Sequence, residues 1–410
     1  MEYTIFLWII GISVFHFLLE RILGMLNDSK KAEGLPPEAD GIYDKERYET
    51  WLAYDKTKGR FGRIASFFNF FVLLAMLILG GFGWLDDFIR ETVTKDDLWL
   101  PLLFFGALGA ASSLIGLPFA WYGTFVIEER FGFNKTTPKV FVFDRIKGAL
   151  LSVALGGSIG GFVIFIYHLN PDSFWIVAWL FLSGITLLMN MFYTSTFARI
   201  FNKITPLEDG PLREAIEVYS QSVGYKLKNI FIMDGSKRST KANAYFSGLG
   251  PKKSIVLYDT LIEKFETEEI VAVLAHEVGH YRKKHIPVST TLALLQMGLT
   301  FFLLSLTLSI PYFSLALGDQ PSFHLGLLVF GLLYSPVSLI LGLGMNILSR
   351  KNEFEADAFA KETSSGAALV SSLKRLASEN LVNLNPHPLH TFFHASHPPV
   401  LERVKALEKS

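Results

Sequence analysis

Seven stretches of the chain are nearly unbroken in apolar residues, at 4–23, 64–85, 98–119, 149–167, 174–198, 287–317 and 325–348. A helix needs about 20 such residues to cross the roughly 30 Å of bilayer hydrocarbon. Each stretch is of that order, so the pattern predicts seven transmembrane helices. The first, TIFLWIIGISVFHFLLERIL, has neither a basic leader nor a small-residue cleavage site. It is expected to remain as a span rather than to leave as a signal peptide. The third stretch carries Pro101 and Pro118 and the fourth is rich in Gly, features tolerated where neighbouring helices pack closely.

Basic residues alternate from one inter-span segment to the next. Lys30, Lys31, Lys45, Arg47, Lys56, Lys58, Arg60 and Arg63 lie between the first two spans, but only Arg90 and Lys95 between the second and third. Arg130, Lys135, Lys139, Arg145 and Lys147 follow the third, whereas the links after the fourth and sixth have none. By the positive-inside rule the N-terminus faces out, and the polar segments and the C-terminus face the cytosol.

Two longer polar stretches, 201–286 and 349–410, fall on that same side, separated by the hairpin of spans six and seven. They are expected to form one domain divided by the hairpin at 287–348, with residues 1–200 as the membrane domain. Within the first, KNIFIMD and KSIVLYD have the β-rich composition of short strands, and GSKRSTKANAYFSGLGPKK between them reads as a loop plus an edge strand.

Composition agrees with a membrane protein. Half of the residues are hydrophobic and 19% are charged, against about 25% charged in an average soluble domain, and mean hydropathy is +0.35. The net charge of zero gives no field that would favour nucleic acid as a partner. With no Cys in the chain, disulfides and thiolate metal sites are excluded, and any metal must be held by His and carboxylates.

One segment breaks the apolar pattern with chemistry. LAHEVGHYRKKH, residues 274–285, contains H-E-x-x-H. The spacing predicts a helix that starts near Thr267 as N-cap, with Glu268 and Glu269 in its first turn. Residues i and i+4 share a helix face, so His276 and His280 would present two imidazoles to one Zn2+. Glu277, beside the first of them, could take a proton from water at the metal. Catalytic zinc usually has three protein ligands. SRKNEFEADAFAKE supplies Glu353 as the third and, one turn on, Asp357 as an acceptor that fixes a ligating imidazole. Read without the metal, the same carboxylates would form a solvated face paired with Arg350 and Lys361. His387, His390 and His394, set around Pro386 and Pro388, read as a loop rather than a second metal site.

At these residues the chain resembles the type I CAAX prenyl proteases, integral-membrane zinc metalloproteases, and more distantly the bacterial heat-shock membrane proteases. The resemblance runs over nearly the whole chain. It is carried by LPPEADGIYDKERYETWLAYDKTKGRFG, EERFGFNKTTPKVFVFDRIK, ANAYFSG, LAHEVGHYRKKH, SRKNEFEADAFA and HASHPPVLERVKAL, in that order. It implies a mainly α, polytopic fold: seven helices forming a barrel around a chamber, capped by a cytosolic α+β zinc-protease domain with a small sheet. It further implies His276, His280 and Glu353 as the ligands of one zinc and Glu277 as the catalytic base. Asn243 and Ala244 would lie on the strand that receives substrate, His397 would support the oxyanion, and Arg403, grouped with the substrate-binding positions, would help to organise the site. From the residues alone, ANAYF is an ordinary strand and SHPP the Pro-marked start of a short amphipathic helix.

The implied reaction is hydrolysis of a peptide bond near the C-terminus of prenylated CAAX proteins, in some relatives also at an upstream site. The partners are a peptide or protein substrate and the lipid bilayer. The link between spans six and seven is short, about GDQPSFH, without the insertion, C-terminal addition or retention tail of some eukaryotic relatives. That points to a prokaryotic form in the bacterial inner membrane and brings prenylated substrates into question; in a eukaryote the expected membrane is the endoplasmic reticulum. Three other readings fit parts of the pattern: a quality-control protease with no prenyl requirement, a seven-span transporter, and a zinc scaffold without hydrolysis.

Overall fold

A computed structural model describes residues 1–31, 33–225, 229–247 and 254–409. Among these, six helices are long and apolar enough to cross a bilayer: Glu2–Lys31, Lys45–Ile78, Trp99–Glu128, Pro138–Leu169, Phe174–Phe201 and His285–Leu308. A pair bent by 53°, Phe323–Leu333 and Ser335–Thr363, passes the same test taken together and counts as a seventh when the pair is taken as one broken span.

The spans differ from the apolar stretches mainly at their ends. The second and fourth begin in polar sequence, at Lys45 and Pro138, because the helix continues into water beyond the hydrocarbon. Asp44 caps the former by accepting from the Arg47 amide at 2.7 Å. The second also stops earlier than its apolar run. Gly80 adopts φ 68°, and the run resumes as a separate helix, Gly81–Thr92. Hydropathy is blind to such a break, which needs only one left-handed residue. Spans three, four and five each contain a π-helical segment, at Gly123–Glu128, Ser152–Gly156 and Tyr193–Phe197. The first lies just downstream of Pro118, where local π geometry can re-satisfy backbone groups left without a partner.

The spans pack as a closed ring: each touches the next in the chain, and the seventh touches the first. Only 6% to 17% of the residues in the most apolar window of each of the six long spans are buried. A solid bundle would bury its inward faces, and so low a buried share is what a ring packed around an interior space would give.

On one end sits a four-stranded sheet, β1 (Ile204–Pro206), β2 (Asn229–Met233), β3 (Ala244–Ser247) and β4 (Ser254–Tyr258), in the order β1-β2-β4-β3. β2 and β4 run parallel; β1 and β3 pair antiparallel with them. β1, three residues long, is too short to show a period in sequence. Lys228, Lys253 and the loop tail at 248–253 lie outside the described residues. One hydrophobic core joins Ile216, Leu257, Ile270 and Val278 with Leu369, Leu373 and Val404, so both polar stretches contribute to it. The segment between spans one and two is fastened to this layer: Tyr43 donates to the Val382 carbonyl at 2.8 Å, and Arg47 to that of Ser378 at 2.7 Å.

Two junctions set the site. The helix Thr267–Arg282 meets span six across Lys283 and Lys284, the latter at φ 60°. Span seven continues without interruption from Ser335 to Thr363, carrying Glu353 and Asp357 out of the membrane layer.

Candidate metal centre

Helix Thr267–Arg282 opens with a capping box. The Glu266 side chain caps the backbone of the first turn, and Glu269 accepts from the Glu266 amide at 3.0 Å. The N-cap is therefore Glu266 rather than Thr267. A carboxylate there satisfies orphan amides and faces the positive end of the helix dipole. Glu269 also accepts from Ser371 Oγ at 2.6 Å and Arg375 at 3.0 Å, which ties this helix to Gly366–Glu379 behind it.

The i, i+4 spacing places the imidazoles side by side. His276 Nε2 and His280 Nε2 are 3.1 Å apart. Glu353 Oε1 is 3.2 Å from His280 Nε2, and Oε2 is 3.6 Å from His276 Nε2. Three ligand atoms thus lie within 4.8 Å of one another, and no other three His, Cys, Asp or Glu residues among those described converge in this way.

The outward nitrogens are taken. His276 Nδ1 is 2.8 Å from Asp357 Oδ1, and His280 Nδ1 is 3.1 Å from His285 Nδ1. With both Nδ1 atoms engaged, the two Nε2 atoms are left facing each other and the Glu353 carboxylate. That is a donor set for a borderline-soft, tetrahedral divalent cation, and two imidazoles with one carboxylate leave a fourth position free. The residues fit zinc.

Glu353 and Asp357 are 3% and 2% exposed, so they do not form a solvated face. Arg350 instead donates to the carbonyls of Ala395 and Thr391, and Lys361 to that of Lys409. Arg403 neutralises the buried carboxylates. Its Nε and Nη2 bind the two Asp357 oxygens at 2.8 and 2.6 Å, and Nη1 is 3.2 Å from Glu353. Grouped in the sequence with substrate-binding positions, Arg403 is spent on these carboxylates and its side chain is only 10% exposed.

His397 sits on the solvent side. Its Nδ1 is 2.9 Å from Glu353 Oε2, and its side chain is 65% exposed. The hydrogen bond to Glu353 raises its pKa above the usual histidine value against the opposing effect of burial; the Glu277 charge adds to the rise. Glu277, half-buried one residue after His276, is thus within electrostatic reach of His397. Asn243 and Ala244 stand on another element, at the start of β3. Asn243 is exposed, its carbonyl accepts from the Tyr258 amide at 3.1 Å, and its Oδ1 accepts from the Ala244 amide at 2.9 Å. Among the described residues β3 pairs only with β4, so its other edge can accept a strand. Asn380 holds the approach to it, bonding both the amide and the carbonyl of Ala242 at 3.2 Å. Residues 388–394, read as a loop, form a short helix capped by His387.

Spacing did not reveal the partner of His280. His285 ends the same motif, but the i, i+5 separation lies off the helical face. Only the left-handed turn at Lys284 folds His285 back.

Comparison with known proteins sets these residues in a wider frame. Residues 25–203 match the family model described as CAAX prenyl protease N-terminal, five membrane helices, and residues 206–410 match peptidase family M48. The CAAX prenyl protease 1 homolog of Arabidopsis thaliana is 35% identical over 98% of this chain and 96% of its own length. CAAX prenyl protease 1 of Saccharomyces cerevisiae is 33% identical over 97% and 94%. A crystal structure of S. mikatae Ste24p superposes with a TM-score of 0.91 at 32% identity, covering 98% of this chain and 99% of that one.

Proposed function

The chain belongs to peptidase family M48, in its CAAX prenyl protease branch, and we propose that it hydrolyses peptide bonds near the C-terminus of prenylated CAAX-type proteins, using one zinc ion. Membership makes it an integral, multi-pass membrane metalloprotease. The transporter and the inert scaffold are thereby set aside. The observation that carries the zinc assignment is the meeting of His276 Nε2, His280 Nε2 and the Glu353 carboxylate at 3.1 to 3.6 Å.

His276, His280 and Glu353 hold the metal, which when bound supplies Lewis acidity and makes water acidic near neutral pH. Glu277 takes the proton from the attacking water and delivers it to the leaving amine. His397, on the solvent side of the site, donates to the oxyanion; one such donor is worth roughly 3 kcal/mol. Asn243 and Ala244 mark the strand edge against which substrate adds, with main-chain hydrogen bonds giving affinity. Arg403 and Asp357 act behind the ligands and do not touch substrate. A site where spans six and seven leave the membrane layer suits a substrate whose tail is lipid and whose scissile bond is peptide.

We place the N-terminus outside and the catalytic side in the cytosol. In a bacterium the membrane is the inner membrane, in a eukaryote the endoplasmic reticulum. The test is cleavage of matched farnesylated and plain CAAX peptides, with and without chelator. The farnesylated peptide alone should be cut, and only with metal present. Equal cutting of both favours the quality-control reading, and cutting that survives chelation overturns the metal mechanism. Glu277→Gln should keep its zinc and lose cleavage.

A further inference from the structure

His285 is buried, with its side chain 7% exposed, and it lies outside the group of three converging ligands. It stands between two groups. Its Nδ1 is 3.1 Å from His280 Nδ1, and its Nε2 is 3.2 Å from Glu355 Oε2. Glu355 lies two residues after Glu353 on the span-seven helix, 40% exposed. From these distances we propose that His285, oriented by Glu355, is a positioning residue that fixes the tautomer and ring plane of His280.

Proton bookkeeping along the line admits one consistent assignment. His280 can offer Nε2 to a cation only as the Nδ1–H tautomer. Nδ1–H then needs an acceptor, and among the described residues His285 Nδ1 stands at 3.1 Å to take it. His285 must therefore be neutral with its own hydrogen on Nε2, where the Glu355 carboxylate accepts it. The result is a line of two donated hydrogen bonds, His280 to His285 to Glu355. It matches what Asp357 does directly for His276 at 2.8 Å. The two ligands are supported asymmetrically, one by a charged acceptor and one by a neutral acceptor backed by a charge. Groups of this kind orient ligating imidazoles and raise their basicity. The left-handed Lys284 is what allows it: an unbroken helix would carry position 285 about 140° away from position 280, whereas φ 60° at Lys284 returns it.

This inference rests on His280 being a metal ligand, and the experiment separates the two. Full-length protein is stripped of metal and titrated with Zn2+ against a competing chelator, with thermal unfolding of the metal-free form recorded in parallel. Wild type should bind one zinc and His280→Ala should not; failure at that step sinks the ligand reading itself. His285→Leu keeps the volume and loses the acceptor. It should weaken zinc binding on the order of 10- to 100-fold. His285→Asn loses volume but places an amide oxygen near the Nδ1 position, and it should stay within a few-fold of wild type. A purely packing role predicts the reverse order, and that result, or equal affinity for His285→Leu and wild type, overturns the proposal. Glu355, half-buried at the edge of the line, gives an arm with less folding risk than His285. Glu355→Ala should weaken zinc binding several-fold with unchanged unfolding of the metal-free form, and unaltered affinity there overturns the relay.

Discussion

Gly279 faces the backbone of Ala356 so closely that a Cβ built on it would lie 3.0 Å from both the Cα and the carbonyl oxygen of Ala356. Gly279 is one residue from His280, and Ala356 lies between Glu353 and Asp357. The contact therefore sets how near the two ligand-bearing helices come. Gly279→Ala would ordinarily favour the helix by about 1 kcal/mol. Here the nearest obstructing atoms are backbone, and Phe359 Cβ is also only 3.2 Å from the added Cβ; overpacking of this kind costs roughly 1–3 kcal/mol. The expected outcome is a lower thermal midpoint and zinc binding weakened at least 10-fold, read by chelator competition. Unchanged affinity would mean that the helices can part without moving Glu353.

Arg403 gives a second prediction. It serves two buried carboxylates, Asp357 at 2.6 and 2.8 Å and Glu353 at 3.2 Å. Arg403→Met leaves those charges without their cation, and breaking a buried pair in this way costs about 3–5 kcal/mol. Zinc restores part of the missing positive charge, so it should raise the thermal midpoint of Arg403→Met more than that of wild type. Arg403→Lys should fall between them, keeping the charge but losing the two-pronged grip. A zinc-induced shift no larger in Arg403→Met than in wild type would refute this.

Long features of this molecule were readable from sequence, and points of backbone geometry were not. The spans and the joint core of the two polar stretches rest on apolar runs and shared sidedness, which hydropathy and charge report directly, whereas the closing of the spans into a ring was implied only by the family resemblance. His276, His280 and Glu353 meet because helical spacing and a second acidic helix pattern encode shared faces. Gly80 and Lys284 are different. Each turns the chain with one left-handed residue, and no periodicity marks such a residue; hence the early end of span two and the unsuspected nearness of His285. β1 was missed because three residues show no period. Arg403 shows a further limit: that it pairs with Asp357 and Glu353 depends on how a separate C-terminal helix packs.

Acidity should tell on the metal-free protein. The hydrogen bond to Glu353 raises the pKa of His397 above its ordinary value, outweighing burial. A folded value above the unfolded one means that protonated His397 stabilises the fold. The contribution is full below the unfolded value of about 6.5 and is lost as pH rises through the folded value. In chelator, the difference in thermal midpoint between wild type and His397→Gln should be greatest near pH 5–6 and vanish on the alkaline side. With zinc present Glu353 is committed to the metal, and the dependence should flatten. A difference that grows with pH would contradict the pairing.

The helix that carries Glu353 also holds the segment that carries His397. Arg350 donates to the Ala395 carbonyl at 2.6 Å, and Asn346, one turn earlier, donates to that of Phe393 at 2.9 Å. These bonds end two residues before His397, whose side chain is otherwise largely exposed. Removing them should let His397 drift without disturbing the metal, and misplacement by about 1 Å can cost up to 100-fold in rate. Arg350→Ala should therefore lower kcat by an order of magnitude or so while zinc affinity stays at the wild-type value. If Arg350 acts only through His397, adding Arg350→Ala to His397→Ala should slow cleavage no further, since effects on one shared contact do not add. Full additivity in that cycle would show that Arg350 acts elsewhere, and zinc loss in Arg350→Ala would show that it supports Glu353 instead.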